Sequence, residues 1–226
     1  DMGDIGTISL DQGSGSGLST IDDVTPTAAE EIWDGLDTTT SGRVGAVGSS
    51  GVLNYVNTLA GVKFNGAFRK GASGNAADGA TSGEGAGSGY DFALTTNGDM
   101  LGLDGLEVGA GYGKVDNPTS ALASNGTPGE QTDVTAFVKY AVGPVSAGYQ
   151  VSYEDNIFLA TGVPTADQDT KRWGIAFNVN ENLSLSYGEA DTEFVISSAA
   201  DVTEKVEGIA VAYTMGSVKI AGNRNE

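Results

Sequence analysis

The sequence predicts an all-β fold, an antiparallel up-and-down meander of about eleven strands in one domain over residues 1–226. Three observations carry this. Apolar residues recur with period two through most of the chain, which is the signature of a strand with two unlike faces. Tight turns alternate with long, polar, Gly-rich stretches. Gly is abundant at 35 residues while Pro is scarce at 5, so the glycines serve turns and packing and do not mark a Pro/Gly-rich disordered chain.

A first strand is expected near 3–12. The stretch "GSGSG" at 13–17 then reads as a hinge. No Lys-Ser/Thr follows it, so it is not a phosphate-binding loop. Seven acids lie in and just ahead of the following segment: Asp11, Asp22, Asp23, Glu30, Glu31, Asp34 and Asp37, and no base precedes Arg43. Among them Leu18, Ile21, Val24, Ile32, Trp33 and Leu36 call for burial. Thr25-Pro26 suits an N-cap with Pro in the first helical position, and Thr27 with Glu30 suits a capping box, so a short helix is expected around 26–34. A loop with an apolar side and an acidic side fits a segment folded into a barrel. It would rest on the wall and turn its carboxylates to the channel.

The remaining strands follow in pairs. Val62, Phe64 and Phe68 alternate with Lys63, Asn65 and Arg69, and Leu106, Val108, Ala110 and Tyr112 with Glu107 and three glycines. Val134, Ala136, Val138, Tyr140 and Val142 alternate with Thr135, Phe137, Lys139 and Ala141. Gly143-Pro144 turns this run into Val145, Ala147, Tyr149, Val151 and Tyr153, a hairpin. Trp173, Ile175, Phe177 and Val179 lead through Asn180–Asn182 to Leu183, Leu185 and Tyr187. Ile209, Val211, Tyr213 and Met215 turn at Gly216-Ser217 into Val218 and Ile220. Short turns are expected near 59–61, 98–105, 143–144, 180–182 and 216–217, and long loops near 71–88, 117–131, 155–169 and 195–203.

A water-soluble sandwich alternates in the same way. Two features favour a transmembrane barrel. Aromatics collect near the strand ends of the apolar face: Tyr55, Phe68, Tyr90, Tyr112, Tyr140, Tyr153, Trp173, Tyr187 and Tyr213. Such residues form the interfacial girdles of membrane barrels. The opposite face is small and polar with isolated charges, as a water-filled lumen requires. On this basis Val138, Tyr140, Tyr149, Ile175, Phe177 and Val211 are expected to point outward, and Arg69, Lys139, Gln150 and Asn178 inward.

Composition removes whole classes of function. A net charge of −19 and a pI near 4.1 repel phosphate backbones, so nucleic acid is not a partner. With no Cys and no His there are no thiol nucleophiles, no Cys/His zinc sites and no triad with a His base. The pairs Asp22/Asp23 and Glu30/Glu31 have the chemistry of glycosidase carboxylates, but no sugar-binding aromatics converge on them in the sequence. They also suit Ca²⁺. Without an EF-hand loop or a GGxGxD repeat, that ion is expected only as an incidental occupant, and no cofactor is expected. No apolar run approaches the ~20 residues of a membrane helix, and no signal peptide is visible.

Several stretches resemble one family, the bacterial outer-membrane porins, and in particular the sixteen-stranded trimeric porins of marine alphaproteobacterial type. "DMGDIGTISLDQGSGSGLSTIDDVTPTAAEEIWDGLD" resembles the family's fifth strand and the inward-folded loop after it. "NGDMLGLDGLEVGAGYG", "YAVGPVSAGYQVSYED", "RWGIAFNVNENLSLSYGEADTEF" and "EGIAVAYTMGSVKIAGNRNE" resemble its later hairpins. The resemblance implies that residues 13–42 form a constriction loop, with Asp22, Asp23, Glu30, Glu31 and Asp34 facing a wall that carries Lys63, Arg69, Lys139, Arg172 and Lys219. It implies an internal piece of a homotrimeric barrel in the outer membrane of a Gram-negative bacterium. Its partners would be the lipid bilayer, ions and small hydrophilic solutes, and no reaction would be catalysed. Passive, moderately cation-selective diffusion is the expected function. The competing class is a secreted acidic β-sandwich or adhesin-type binding module. The edge strands are expected to stay open, because an odd number of strands departs from the even counts of bacterial barrels.

Overall fold

Period-two alternation builds one continuous ladder. The computed structural model describes residues 3–12, 15, 17–36, 44, 47, 50–71, 88–116, 130–158, 165–196 and 199–226. The strands are β1 (Thr7–Gln12), β2 (Ser50–Leu59), β3 (Val62–Arg69), β4 (Gly89–Asn97), β5 (Leu106–Asp116), β6 (Glu130–Val142), β7 (Val145–Phe158), β8 (Thr165–Asn178), β9 (Leu183–Ile196), β10 (Val202–Met215) and β11 (Val218–Asn225). They form a single eleven-stranded sheet in sequence order, and β1 and β11 are its edges. Each strand is antiparallel to its neighbours in sequence. A sandwich needs a second sheet to cover the first, and among the described residues there is none.

The ends of the sheet are unlike. At one end the turns are tight. Gly143 has φ +56, the positive value that a two-residue hairpin turn of type II′ demands at its first central position. Ala60 (φ 50) and Gly61 (φ 81) are both positive in the β2–β3 turn, as type I′ requires. The opposite end carries the long connections.

Four consecutive strands, β7 to β10, are 14 residues long each. That exceeds the 9–11 residues a tilted strand needs to cross the hydrocarbon. Two expected loops, 155–169 and 195–203, are therefore largely strand: β7 runs to Phe158, β8 begins at Thr165, β9 runs to Ile196 and β10 begins at Val202. Acids and lysines take the place of apolar residues on the outward face here, while Phe194 and Val206 are buried on the other face, so the alternation of the lower strands does not continue. Asp169, Lys171, Asp191, Glu193 and Lys205 sit there on the face that further down carries Trp173, Tyr187 and Ile209. Lys205 pairs with Asp191 at 3.3 Å.

Register partners share a face, so one face can be traced from strand to strand. Val138 pairs with Tyr149, Tyr149 with Trp173, Ile175 with Tyr187, and Val211 with Leu185. These are exposed apolar side chains, including Val138, Tyr140, Tyr149, Ile175, Phe177 and Val211. Aromatic rings touch along this face, Tyr55 on Phe64, Phe64 on Phe92, Phe92 on Tyr112 and Trp173 on Tyr187. The opposite face holds Arg69, Lys139, Gln150 and Asn178, in agreement with the expected alternation. It also holds Leu18 and its neighbours, because the 17–36 segment lies on it.

The expected helix around 26–34 does not form. Residues 28–30 bend and 32–35 turn, and the only regular piece of the segment is a 3₁₀ turn, Gly17–Ile21. Thr27 does behave as a local cap: its hydroxyl donates to the Glu30 carbonyl at 2.7 Å and accepts from the Ala29 amide at 3.3 Å. Ser186 of β9 holds the Ala28 amide and Asn225 of β11 the Glu31 carbonyl, two strand spacings of about 4.8 Å apart. Three helical residues rise only about 4.5 Å, so the ties keep the segment more extended than a helix.

Candidate functional site

The 17–36 segment begins by burying its apolar residues. Leu18 and Ile21 pack with Val44, Ala93 of β4 and Phe137 of β6, and Val24 packs against this cluster. Leu18 is fully buried. Asp91 of β4 receives the Leu18 amide on one carboxylate oxygen (2.9 Å) and the Val47 amide on the other (3.1 Å). Asn65 of β3 accepts from the Gly17 amide at 3.0 Å. One buried carboxylate thus ties both the outgoing and the returning parts of the connection to the wall.

The segment then crosses β7 to β11. Gln150 of β7 accepts from the Val24 amide (3.1 Å) and donates to the carbonyls of Ile21 (2.8 Å) and Asp22 (3.2 Å). Arg172 of β8 donates to the Asp22 carbonyl at 3.3 Å and stacks on the Trp33 ring. Ser186 of β9 accepts from the Ala28 amide at 2.8 Å. Asn225 of β11 donates to the carbonyls of Glu31 (3.2 Å) and Asp34 (2.8 Å). The wall therefore holds the segment by backbone groups. The side chains of Glu30 and Asp34 stay exposed beyond it.

The expected acids are distributed accordingly. Glu30 and Asp34 are exposed, and Asp22, Asp23 and Glu31 are half-buried. Asp22 accepts from the Asp23 amide at 3.0 Å. Asp23, Glu30 and Glu31 line a small cavity of about 30 Å³ between segment and wall. Among the described residues, the carboxylates of Glu30, Glu31 and Asp34 form no ion pair. Asp37 and the 37–42 end of the expected loop lie outside the described residues, as does most of the expected hinge at 13–17.

All the basic residues expected on the wall fall on the segment's face, but they do not gather into one cluster. Lys63 and Lys219 are exposed near the tight-turn end, and Arg69 ends β3 at the long-loop end. Lys139 is paired with Glu107 at 2.7 Å. Arg172 is completely buried under the segment. Of these five, it is the one whose contacts with the segment are seen. Sequence reasoning placed Gln150 on this face but missed that it, Asn65, Asp91, Ser186 and Asn225 are ties. Their signal was weak: each is one polar residue among several small, polar or charged residues at inward positions of its strand, and nothing local sets it apart.

A sheet that is apolar on one face and polar on the other, with its own acidic segment laid across the polar face, is the wall of a transmembrane β-barrel channel. The chain belongs to the Gram-negative porin family, which matches residues 3–223. Solved structures agree at the level of fold. OmpF of Salmonella typhi, in complex with daunomycin, superposes with a TM-score of 0.70 at 13% identity, over 98% of this chain and 67% of that one. A loop L8 deletion mutant of OmpT, an outer membrane protein of Vibrio cholerae, gives 0.66 at 13% identity over 98% and 70%. A porin refined at 1.8 Å resolution gives 0.64 at 18% identity over 99% and 73%. No curated protein matches the sequence. The place of the chain is the outer membrane, and the family is one of passive channels. The sandwich reading is set aside.

Proposed function

We propose that this chain supplies the wall and the constriction of a moderately cation-selective pore for ions and small hydrophilic solutes, working as a homotrimer. One observation carries the reading: the acidic 17–36 segment is docked on the polar face through its backbone, with Glu30 and Asp34 left exposed. Carboxylates in a confined channel raise the local cation concentration. Of the candidate wall bases, Lys139 is neutralised by Glu107 and Arg172 is buried, so neither adds a free positive charge opposite the acids. Solutes are sieved by width and by the field across the narrow zone. Among the described residues no group of three or more potential ligands is placed to hold a metal ion. Ca²⁺ enters this reading only as a counter-ion of the loop.

The test is the reversal potential of the full-length protein in a planar bilayer under a KCl gradient. The wild type is expected to favour K⁺, and Asp22→Lys/Asp23→Lys/Glu30→Lys to shift the potential toward anion preference. An anion-selective wild type, or a triple variant with unchanged potential, overturns the reading. Chemical cross-linking in detergent tests the trimer.

A further inference from the structure

Four glycines form a straight row across the polar face. Register pairs Gly148 of β7 with Gly174 of β8, Gly174 with Gly188 of β9, and Gly188 with Gly208 of β10. The row begins beside Lys139, the cross-strand partner of Gly148, and ends at Asn225, the partner of Gly208. The acidic segment lies in this trough. A Cβ at Gly148 would stand 2.7 Å from Cδ of Pro26, and one at Gly174 2.8 Å from the Pro26 carbonyl oxygen. Further along, Cβ atoms at Gly188 and Gly208 would meet Cγ2 of Ile32 at 3.2 and 3.1 Å. The Gly208 position would also collide with Oδ1 of Asn225, whose amide nitrogen ties Glu31 and Asp34. The row has no strained backbone to explain it, since none of the four has a positive φ. Close approach of the segment is the reason for glycine at 148, 174 and 208, and at Gly188 the Trp173 carbonyl oxygen of the neighbouring strand, 2.9 Å from a Cβ, crowds the site together with Ile32.

We infer that this glycine row sets the aperture of the pore, an inference that rests on the channel reading above. Each missing side chain lets the segment sink toward the wall and leaves that depth to the lumen. Carbon atoms rest at about 3.5–4.0 Å, so a methyl at Gly148 obliges Pro26 to withdraw by about 1 Å into the lumen. The row acts at two separate points. Gly148 and Gly174 set the depth of the Thr25-Pro26 corner next to Asp23, and Gly188 and Gly208 set the depth of Ile32 next to Glu31. The width of the pore is then a property of wall glycines that no permeating solute touches. It is adjustable by single substitutions without altering any charge.

The experiment compares full-length wild type, Gly148→Ala, Gly208→Ala and the compensated pair Gly148→Ala/Pro26→Ala in planar bilayers. Single-channel conductance and the size cut-off for neutral polyethylene glycols are read. Gly222→Ala is the control: it lies on the outward face of β11 with nothing near its Cβ position. Gly148→Ala and Gly208→Ala are expected to lose conductance and to exclude smaller polymers, with ion preference retained. The double variant should return toward wild type, which a general folding defect would not do, and the control should match wild type. A conducting wild type with single variants of equal conductance and cut-off overturns this inference alone. So does a double variant as impaired as Gly148→Ala. A folded wild type that passes no current overturns the channel reading and this inference with it.

Discussion

The guanidinium carbon of Arg172 lies 4.7 Å from the centroid of the Trp33 ring, and a terminal nitrogen of the same group donates to the Asp22 carbonyl. A residue expected among the basic residues of the wall thus clamps the segment to its strand. A desolvated cation–π contact contributes about 2 kcal/mol, and a hydrogen bond from a charged donor about 1.5–3 kcal/mol. Arg172→Ala is therefore expected to loosen the Trp33 end of the segment. In a Trp173→Phe background Trp33 is the only tryptophan left, and its emission should shift to the red. Unchanged emission would show that the clamp does not hold the segment.

Asp91 is expected to matter for stability out of proportion to its size. Asp91→Ala strips the partners from the buried amides of Leu18 and Val47. An unsatisfied buried group costs about 1–3 kcal/mol. Thermal melting of the folded protein in detergent, followed by the far-UV sheet signal, should show a lower midpoint. Asp91→Asn keeps one acceptor oxygen and should lose less. Equal midpoints for wild type and the Ala variant would contradict the tie.

The two faces of the sheet should tolerate charge unequally. Val138 points outward from the middle of β6, and Thr214 lies on the opposite face of β10 and is exposed. Val138→Arg should cost about 2–4 kcal/mol of insertion near the bilayer midplane. Thr214→Arg should leave the folded fraction close to wild type. Heat-modifiable migration after refolding into lipid vesicles measures both, and equal folded fractions would invert the assignment of faces.

Ion preference should fade with salt. The Debye length falls from about 10 Å at 0.1 M to about 3 Å at 1 M, so the field of Glu30 and Asp34 reaches less of the lumen. Permeability ratios from reversal potentials at the two salt levels should converge toward unity. A ratio independent of salt would point to a binding site in place of a diffuse field.

Most of the fold was legible because alternation and turn chemistry act locally. Val134–Val142, Gly143-Pro144 and Val145–Tyr153 carry their hairpin in their own residues. The far ends of β7 to β10 were not legible, because charged residues such as Asp169, Lys171, Asp191 and Glu193 replace the apolar ones on the outward face and break the alternation. The segment misled for a different reason. Thr25-Pro26 and Thr27/Glu30 are sound local helix signals, but Gln150, Ser186 and Asn225, far along the chain, tie the segment to three separate strands and keep it stretched across the sheet. Arg172 could be placed on the correct face by parity. Its burial depends on Trp33 arriving from a distant position, and parity carries no information about that.

The ties of the segment also fix an order of events in folding. The hairpins join neighbours in sequence, whereas the ties span 48 residues to Asn65, 158 to Ser186 and 194 between Glu31 and Asn225. A fourfold longer separation adds only about 1.2 kcal/mol of closure entropy, so the late ties are not weak. They must wait, because their partners stand on strands that have to be laid first. The segment is thus a latch that closes when the wall is complete. During refolding, the Trp33 signal should trail the sheet signal, and simultaneous arrival would show that the segment is a template for the wall.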